Sequence, residues 1–513
     1  KWLRKAMPVE ASPLVDGEPN NSRVVGRNAW SPGYQDCLFT LGFIANVAFI
    51  VIFFFIWVGE GHHGWPTSDD IDDHASLVGV SNETMDAVTS ATVLTATYTM
   101  GFTLLWVLLY LGVMKVCAFY MIVGLNVLLI ALTYIFGGIW LQYALTCKDA
   151  HPKCSSDDQN WAWVAAIVGL ASGTLMLMWL ICVWGRIVFT AKMLSAVSGV
   201  LAICPGTVLI SFIFAVITVV WWGLWGGAFV QATIYLAGGE HHAVPYGSWV
   251  GLLFGMLISG WWGHKVFVNI AHMVSCHVIC SWYFDPDTAT EGIPCCKPVT
   301  LTGLKRATTN YLGSIAFGSL IVAILEAVYY TCKFVADQAT SNANFVVKLI
   351  ACCFLCILKC IKNCIEWLTE WAYCYIALYG DSFISAGGKV FKMLAESGMG
   401  AVAQTSLVYP VLWLGCLLGA FVGLGSGYLT LQSHQLESDH QWTQPTFGFI
   451  IGFFMTSAAL SCVDAGNKSI YVCYVDSPDL MEKREPAIKG YLEENPENKM
   501  KEYKNGSAGL AQP

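Results

Sequence analysis

The chain has 513 residues, of which 56% are hydrophobic and 12% are charged, and its formal net charge is −8. Soluble domains carry about 25% charged residues, so this composition excludes an ordinary soluble domain and is typical of an integral membrane protein. The negative charge gives no basis for nucleic-acid binding.

The hydropathy pattern divides the chain into a membrane domain and two polar tails. Residues 1–36 are predicted to form an N-terminal tail and residues 476–513 a C-terminal tail. Between them, residues 37–475 are predicted to form an all-α, polytopic membrane domain, because about 20 apolar residues are needed for each crossing. Ten apolar runs approximately meet that length: 37–58, 91–113, 116–141, 161–184, 206–234, 248–275, 311–333, 344–365, 404–430 and 446–466.

Two further segments mix apolar residues with lysine in a way that is typical of interfacial helices. Residues 187–204 include Lys192 and end before Pro205, and residues 371–394 include Asp381 and Lys389 among aromatic residues. Both are predicted to be amphipathic helices that lie on the membrane surface.

The distribution of charge predicts the orientation in the membrane. If both termini are cytoplasmic, most of the 27 basic residues fall on the cytoplasmic side, which is the positive-inside pattern. The loop 59–90, predicted to lie outside, contains several Asp and Glu residues and no Lys or Arg.

Two outer segments contain candidate modification sites. Asn82 begins the sequon Asn-Glu-Thr, which is a candidate for glycosylation, although sequons also occur by chance. In the loop 142–160, Cys147 and Cys154 are close in sequence and lie in a compartment that is predicted to be oxidising, so a disulfide is expected.

From residue 260 onward the sequence resembles a known family. The resemblance rests on Ser281-Trp282-Tyr283-Phe284, on the string GSIAFGSLIVAI at 313–324, and on IALYGDSF at 376–383. The segment Tyr471–Pro478 agrees as well. These strings resemble the choline transporter-like family over roughly residues 260–480.

The resemblance implies a ten-span transporter of the plasma membrane. Such a protein moves choline or a related amine such as ethanolamine by alternating access, and its partners are that small cation and the membrane lipids. The chain has no Gly-x-x-x-x-Gly-Lys-[Ser/Thr] loop, which agrees with transport without ATP hydrolysis. We expect no cofactor, and the oligomeric state is open.

Aromatic residues of the fifth and sixth spans are candidates for substrate binding. Quaternary ammonium groups are recognised by aromatic faces. The candidate cage residues are Trp221, Trp222, Trp225, Trp261 and Trp262. The alternative is that these residues belong to the aromatic belt at the membrane interface.

Glu326 is the single acid of the seventh predicted span. Charged residues within the membrane are costly and often functional. Three roles stay open: an ion pair with Lys265 of the sixth span, contact with the cationic substrate, and proton coupling. If Lys265 faced the site, it would oppose the binding of a cation.

Two further patterns have both a structural and a functional interpretation. The small residues between Gly313 and Ser319 predict close helix packing, and they would also suit a surface that slides during alternating access. Cysteines at 352, 353, 356, 360 and 364 follow one helix face. They suit apolar packing or, near the cytoplasmic end, palmitoylation.

Other functions are less well supported by the residues. An ion channel or a membrane scaffold would retain the fold without choline transport. A membrane enzyme would need a cluster of catalytic groups, and the nearest candidate is Glu240 with His241 and His242. No catalytic residue is predicted. No metal site is predicted either, because no Cys-x-x-Cys pair lies in a polar loop with partner histidines.

Overall fold

A computed structural model describes residues 34–59, 82–150, 155–237, 246–289, 292–293, 297–340, 345–434 and 442–484, together with residues 490 and 493. These residues belong to one unit, which begins at Pro32. All regular secondary structure within them is helical, which confirms the predicted fold class. The N-terminal tail before residue 34 lies outside the described residues.

Twelve α-helices are described, and two short 3-10 turns connect some of them. Trp184–Arg186 forms a turn between the third and fourth helices, and Pro286–Ala289 follows the sixth. The α-helices are α1 (Cys37–Gly59), α2 (Asn82–Ala150), α3 (Ser156–Val183), α4 (Ile187–Ile203), α5 (Gly206–Ala237), α6 (Tyr246–Phe284), α7 (Pro298–Thr308), α8 (Leu312–Thr340), α9 (Phe345–Tyr379), α10 (Phe383–His434), α11 (Thr443–Asp476) and α12 (Pro478–Arg484).

Eight helical segments of the described chain are long and apolar enough to cross a membrane. They lie in α1, α2, α3 with α4, α5, α6, α8, α10 and α11. Large apolar side chains such as Leu38, Leu105 and Ile181 are exposed on their outer faces, where lipid would cover them. The chain is therefore a multi-pass membrane protein. The predicted count of ten spans stays a prediction, as does the orientation of the termini.

The second and third predicted spans, 91–113 and 116–141, lie in the single helix α2. This helix has 69 residues, far more than the about 20 that cross a membrane once. The expected break near Lys115 is not seen. The helix continues through Lys115 because residues 82–150 contain no proline and because lysine is a good helix former.

Helix α4 corresponds to the predicted interfacial segment 187–204, but it does not lie at a surface. Most of its 17 residues are buried, and it packs against α2 and α11. Its smaller polar residues Thr190 and Ser198 are buried, and the Ser198 hydroxyl donates to Leu194 O at 2.8 Å within the helix. Lys192, which suggested an interface, is partly buried, so the protein covers most but not all of this helix.

The other predicted interfacial segment, 371–394, is divided between α9 and α10. Gly380 separates the two helices with φ of 72°, a left-handed conformation that favours glycine. Its N–H donates to Ile376 O at 2.8 Å, which ends α9. Residues 371–378 are buried, so this part lies in the core and not on the membrane surface.

Helices α10 and α11 make the most extensive helix–helix contact among the described elements. The contact depends on glycines that face each other. A Cβ added to Gly423 would collide with Gly448 O and lie 3.0 Å from Gly452 Cα. Gly419 and Gly427 are equally crowded, by Thr456 and by Gln444. Small residues therefore bring the two backbones together, as is typical of membrane helices.

The small residues at the start of α8 also permit a close backbone approach. A Cβ on Gly313 would collide with the carbonyl oxygens of Gln35 and Asp36, just before α1. The Asp36 carboxylate accepts a hydrogen bond from Ser314 Oγ at 2.6 Å and another from Phe383 N at 3.0 Å. The entry to α1 is thereby fixed to α8 and to the start of α10.

The beginning of the predicted C-terminal tail is packed against the membrane domain. Tyr283 Oη donates to Ser477 O at 2.7 Å. Arg484 of α12 donates through Nη2 to Phe284 O at 2.8 Å and through Nε to Tyr283 O at 3.0 Å. The two bonds from Arg484 satisfy carbonyl groups at the end of α6 that have no partner within the helix.

Candidate functional site: a charged seam along one helix

Glu326 of α8 is 4% exposed and belongs to a group of four charged residues. Its Oε1 lies 2.8 Å from Lys362 Nζ on α9 and 3.9 Å from Lys265 Nζ on α6. Lys265 donates to Glu366 of α9, and Lys362 lies 3.9 Å from the same carboxylate. Two lysines and two glutamates thus join three helices, with no net charge when all four are ionised.

The hypothesis of a pair between Glu326 and Lys265 describes this group only in part. The closer partner of Glu326 is Lys362. Lys362 and Glu366 were missed because charge at the end of an apolar run normally marks the end of a span. The sequence therefore predicts that the span 344–365 ends at the cytoplasmic side near Lys362, whereas the helix α9 continues to Tyr379. The i, i+4 spacing of Lys362 and Glu366 was the available signal.

A second charged group lies further along α9. Lys468 of α11 is 2% exposed, and its Nζ lies 2.5 Å from both Glu370 Oε2 and Asp464 Oδ2. The side chains of Glu370 and Asp464 are 28% and 29% exposed. The lysine is therefore enclosed, while the two carboxylates reach toward more open space.

We call these two groups together the charged seam, because Lys362, Glu366 and Glu370 follow one face of α9 at intervals of four residues. Its seven members are Lys265, Glu326, Lys362, Glu366, Glu370, Asp464 and Lys468. Three lysines oppose four carboxylates, so the ionised seam has one unmatched negative charge.

A hydrogen-bonded layer continues the seam along α9. Tyr373 Oη donates to Ile315 O of α8 at 3.1 Å. Asn269 Nδ2 of α6 donates to Ser319 Oγ at 2.9 Å and to Tyr373 Oη at 3.3 Å. The polar groups of α9 therefore contact α6, α8 and α11.

The structure divides the five predicted cage tryptophans between two sets of contacts, and their role in substrate binding stays a prediction. Trp222 lies edge-to-face against Trp225 and Trp261, with ring centroids 5.1 and 5.2 Å apart. Trp261 stacks on Tyr330 of α8 at 5.3 Å, and Trp222 Nε1 donates to His264 Nδ1 at 3.3 Å. His264 precedes Lys265, so this aromatic group lies beside the charged seam.

Trp221 and Trp262 make hydrogen bonds to backbone carbonyl groups of neighbouring helices. Trp221 Nε1 donates to Gly260 O and Trp262 Nε1 donates to Ala316 O, both at 2.9 Å. Their rings meet Phe267 and Phe43 edge-to-face. Trp225 Nε1 likewise donates to Met256 O at 2.8 Å. These indoles fix the contacts of α6 with α5 and α8, which sequence periodicity does not reveal.

A separate cavity of about 400 Å³ lies between α2, α3, α9 and α10. Its lining includes Trp179, Trp367, Thr405 and Ser406. Trp179 Nε1 donates to Ser406 Oγ at 3.0 Å, and Trp367 Nε1 donates to Thr405 Oγ1 at 3.3 Å. Trp367 follows Glu366 directly, so the cavity and the seam lie against different faces of α9.

The remaining predicted sites are described only in part. Cys147 is buried and disulfide-bonded, but Cys154 lies outside the described residues, so their pairing stays a prediction. The side chain of Asn82 and residues 240–242 also lie outside the described part. The five cysteines of the α9 stripe are free and exposed, so they do not pack within the described chain, and palmitoylation stays open.

Comparison with known proteins places these features in a family. The sequence model described as "Plasma-membrane choline transporter" matches residues 167–479, which include every member of the charged seam. The chain belongs to this family. The resemblance noted in the strings at 313–324 and 376–383 is thereby confirmed, and the family is one of membrane transporters.

Curated members of the choline transporter family that resemble this chain are distant. A protein PNS1 of Gibberella zeae is 28% identical over 339 residues, covering 64% of this chain and 61% of the relative. A CTL-like protein of Dictyostelium discoideum is 24% identical, covering 64% and 56%. PNS1 of Saccharomyces cerevisiae is 26% identical, covering 63% and 62%. The matches thus span less than two thirds of each relative.

Proposed function

We propose that this protein is a carrier that moves a small organic cation, such as choline or ethanolamine, across the membrane by alternating access without hydrolysing ATP. The observation that carries the proposal is the unmatched negative charge of the charged seam. Every carboxylate of the seam has a lysine partner, but Glu370 and Asp464 share Lys468, so the seam has one negative charge in excess, and excess charge is costly in a medium of low dielectric constant. A bound monovalent cation would neutralise it, whereas a neutral or anionic solute would not.

The exposure of the second charged group supports a position for that cation. Lys468 is enclosed, while Glu370 and Asp464 are more than a quarter exposed. A cation can therefore approach the two carboxylates from their open side without displacing the lysine. Lys468 keeps the empty site from holding two adjacent unpaired acids, which would repel each other.

The aromatic group supplies the second chemical element of the proposal. Trp222 contacts Trp261 edge-to-face beside His264, and Trp261 stacks on Tyr330, so a cation would meet the ring faces that these contacts leave uncovered. Each face contributes roughly 0.5–2 kcal/mol to binding of a desolvated ammonium. We assign Trp222 and Trp261 to the substrate path, and we assign Trp221, Trp225 and Trp262 to positioning of α5, α6 and α8. We also assign Glu326 to the substrate path, where it forms a neutral pair with Lys362.

Uptake of labelled choline into proteoliposomes tests the proposal. We expect saturable uptake that ethanolamine inhibits and that 3,3-dimethylbutanol, the neutral carbon isostere of choline, does not. Equal inhibition by the neutral isostere would overturn recognition of charge. Uptake that rises linearly with concentration would instead indicate a channel, and no uptake would indicate a scaffold.

Three acid variants test the position of the site. Glu370→Gln and Asp464→Asn each leave Lys468 with one carboxylate, so both proteins should fold and lose at least tenfold in apparent affinity for choline. Glu396→Gln removes an exposed acid of α10 outside the seam and is the matched control. Uptake by all three variants at wild-type affinity would place the site elsewhere.

A further inference from the structure

Three metal-binding side chains that are not members of the charged seam meet in the core. His272 and Cys276 are four residues apart on α6 and therefore share a helix face. Cys374 approaches them from α9. Their ligand atoms all lie within 4.8 Å of one another, and all three residues are buried.

The separation of the two sulfur atoms suits a shared metal ion. Cys276 Sγ and Cys374 Sγ are 3.8 Å apart. Two thiolates bound tetrahedrally to zinc, with Zn–S bonds of about 2.3 Å, lie about 3.8 Å from each other. Two neutral thiols in a hydrogen bond do not require an imidazole beside them. A zinc ion bound by the two thiolates would take the imidazole as a third ligand.

The histidine provides an independent observation. His272 is 5% exposed, and its Nε2 has no hydrogen-bond partner within the described part of the chain. A buried polar atom that lacks a partner costs free energy, and such atoms are rare in native proteins. Coordination of a metal through Nε2 of the imidazole would remove this cost.

Ser469 of α11 supplies a second layer around the cluster. Its hydroxyl lies 3.5 Å from Cys374 Sγ and 2.8 Å from Ala465 O. Groups in this position orient metal ligands and hold their charge. The hydroxyl is therefore placed to restrain the Cys374 side chain on the side that faces α11.

We propose that His272, Cys276 and Cys374 bind one zinc ion, which joins α6 to α9. Two thiolates and a neutral imidazole balance the charge of Zn²⁺, so the complete site is neutral in a medium of low dielectric constant. Cu⁺ would leave it with a negative charge. Water takes the fourth position of the tetrahedron. Binding releases the two thiol protons, since only thiolates coordinate zinc.

The ion would fix the part of α9 that carries the charged seam. Cys374 lies four residues beyond Glu370, and the neighbouring Tyr373 bonds to α6 and α8. A zinc ion at Cys374 would therefore hold α9 in the register that presents Glu370 to Lys468. This inference does not depend on the transported solute.

The test begins with the intact wild-type protein, purified in detergent, stripped with a chelator and dialysed against Zn²⁺. We expect about one zinc per chain, and X-ray absorption at the zinc edge should show two sulfur ligands at about 2.3 Å and at least one nitrogen at about 2.0 Å. A zinc shell of oxygen and nitrogen alone would overturn the assignment. Retention of Cu⁺ but not Zn²⁺ would also overturn it.

Variants then identify the ligands. His272→Ala, Cys276→Ser and Cys374→Ser should each lose the stoichiometric zinc, while Cys416→Ser, which removes a buried thiol of α10, should keep it. Co²⁺ serves as a spectroscopic probe, because its thiolate charge-transfer band should weaken in both cysteine variants. Equal zinc content in all four variants would refute the proposal, and the wild-type spectrum decides the matter if a variant does not fold.

Discussion

Glu326 and Lys362 form an ion pair of 2.8 Å that connects α8 to α9, and both side chains are largely buried. The pair is one part of a neutral group that also contains Lys265 and Glu366. Each charge in this group is therefore held by at least one opposite charge on a neighbouring helix. Removing a single member should be more harmful than removing a complete pair.

Glu326→Gln should lower the stability of the folded protein by about 3–5 kcal/mol, because it leaves the neutral group with a buried positive charge. The double variant Glu326→Gln with Lys362→Met should recover much of that loss. Thermal unfolding of both proteins and of Lys362→Met in detergent gives the coupling. Additive effects of the two single changes would show that the pair has no energetic role.

Lys468→Met should be among the most destabilising single changes in α11, with a loss of about 3–5 kcal/mol, because Glu370 and Asp464 would face each other without a cation. Lys389→Met is the matched control. Its partner Asp381 lies at 2.5 Å, but the Lys389 side chain is 37% exposed whereas that of Lys468 is 2% exposed, so the cost should be about 1 kcal/mol or less. Equal unfolding temperatures for the two variants would contradict this prediction.

Gly423→Ala should weaken the contact between α10 and α11 by about 1–3 kcal/mol, because the added methyl group meets the backbone of Gly448 and Gly452. Gly425→Ala, two residues further along the same helix, has open space around its added Cβ. That control should be neutral or slightly stabilising, since alanine favours helix over glycine. The comparison needs only two thermal unfolding curves, and a larger loss at Gly425 would refute it.

Cys147 should be found in a peptide linked to Cys154 by non-reducing mass spectrometry. Cys182 of α3 is free and exposed and should react with an alkylating reagent before any reductant is added. Cys147 should react only afterwards. Detection of free thiol at both Cys147 and Cys154 would refute the disulfide, and a peptide that links Cys147 to another cysteine would refute the pairing.

An epitope placed after Pro513 should be stained only after the plasma membrane is permeabilised. The expectation follows from the positive-inside pattern and from the acidic loop 59–90. Either eight or ten spans would leave both termini on the same side. Staining of intact cells would therefore reverse the orientation of the whole protein.

The hydropathy pattern predicted the fold class and the approximate place of most helices, because long apolar runs have few alternatives in a membrane. It did not predict that α2 is one helix, since the position of Lys115 resembles a loop. Nor did it predict the burial of α4. A buried helix whose small polar residues make hydrogen bonds within the helix can have the same amino-acid composition as an interfacial helix, so composition does not distinguish the two.

The candidate site was predicted at Glu326 and beside it at Trp222 and Trp261. The rest depends on which helix faces which, and hydropathy contains little of that information. Glu370, Asp464 and Lys468 come together from positions about 100 residues apart, across α9 and α11. Cys276 and Cys374 are 98 positions apart, so a search for metal ligands spaced closely in one loop misses them.

The charges of α9 also bear on how the chain enters the membrane during synthesis. Each charged residue at the centre of a membrane-spanning helix opposes insertion by roughly 2.5–3.5 kcal/mol, so α9, which the run 344–365 predicts to be a span, should not insert easily alone. Lys362 and Glu366 find Glu326 and Lys265 in helices that have already been made. The partner of Glu370, Lys468, is translated nearly 100 residues later. If α9 crosses the membrane, as the apolar run 344–365 predicts, the late helix α11 would supply the partner of Glu370, and truncation before α11 would leave that carboxylate without Lys468.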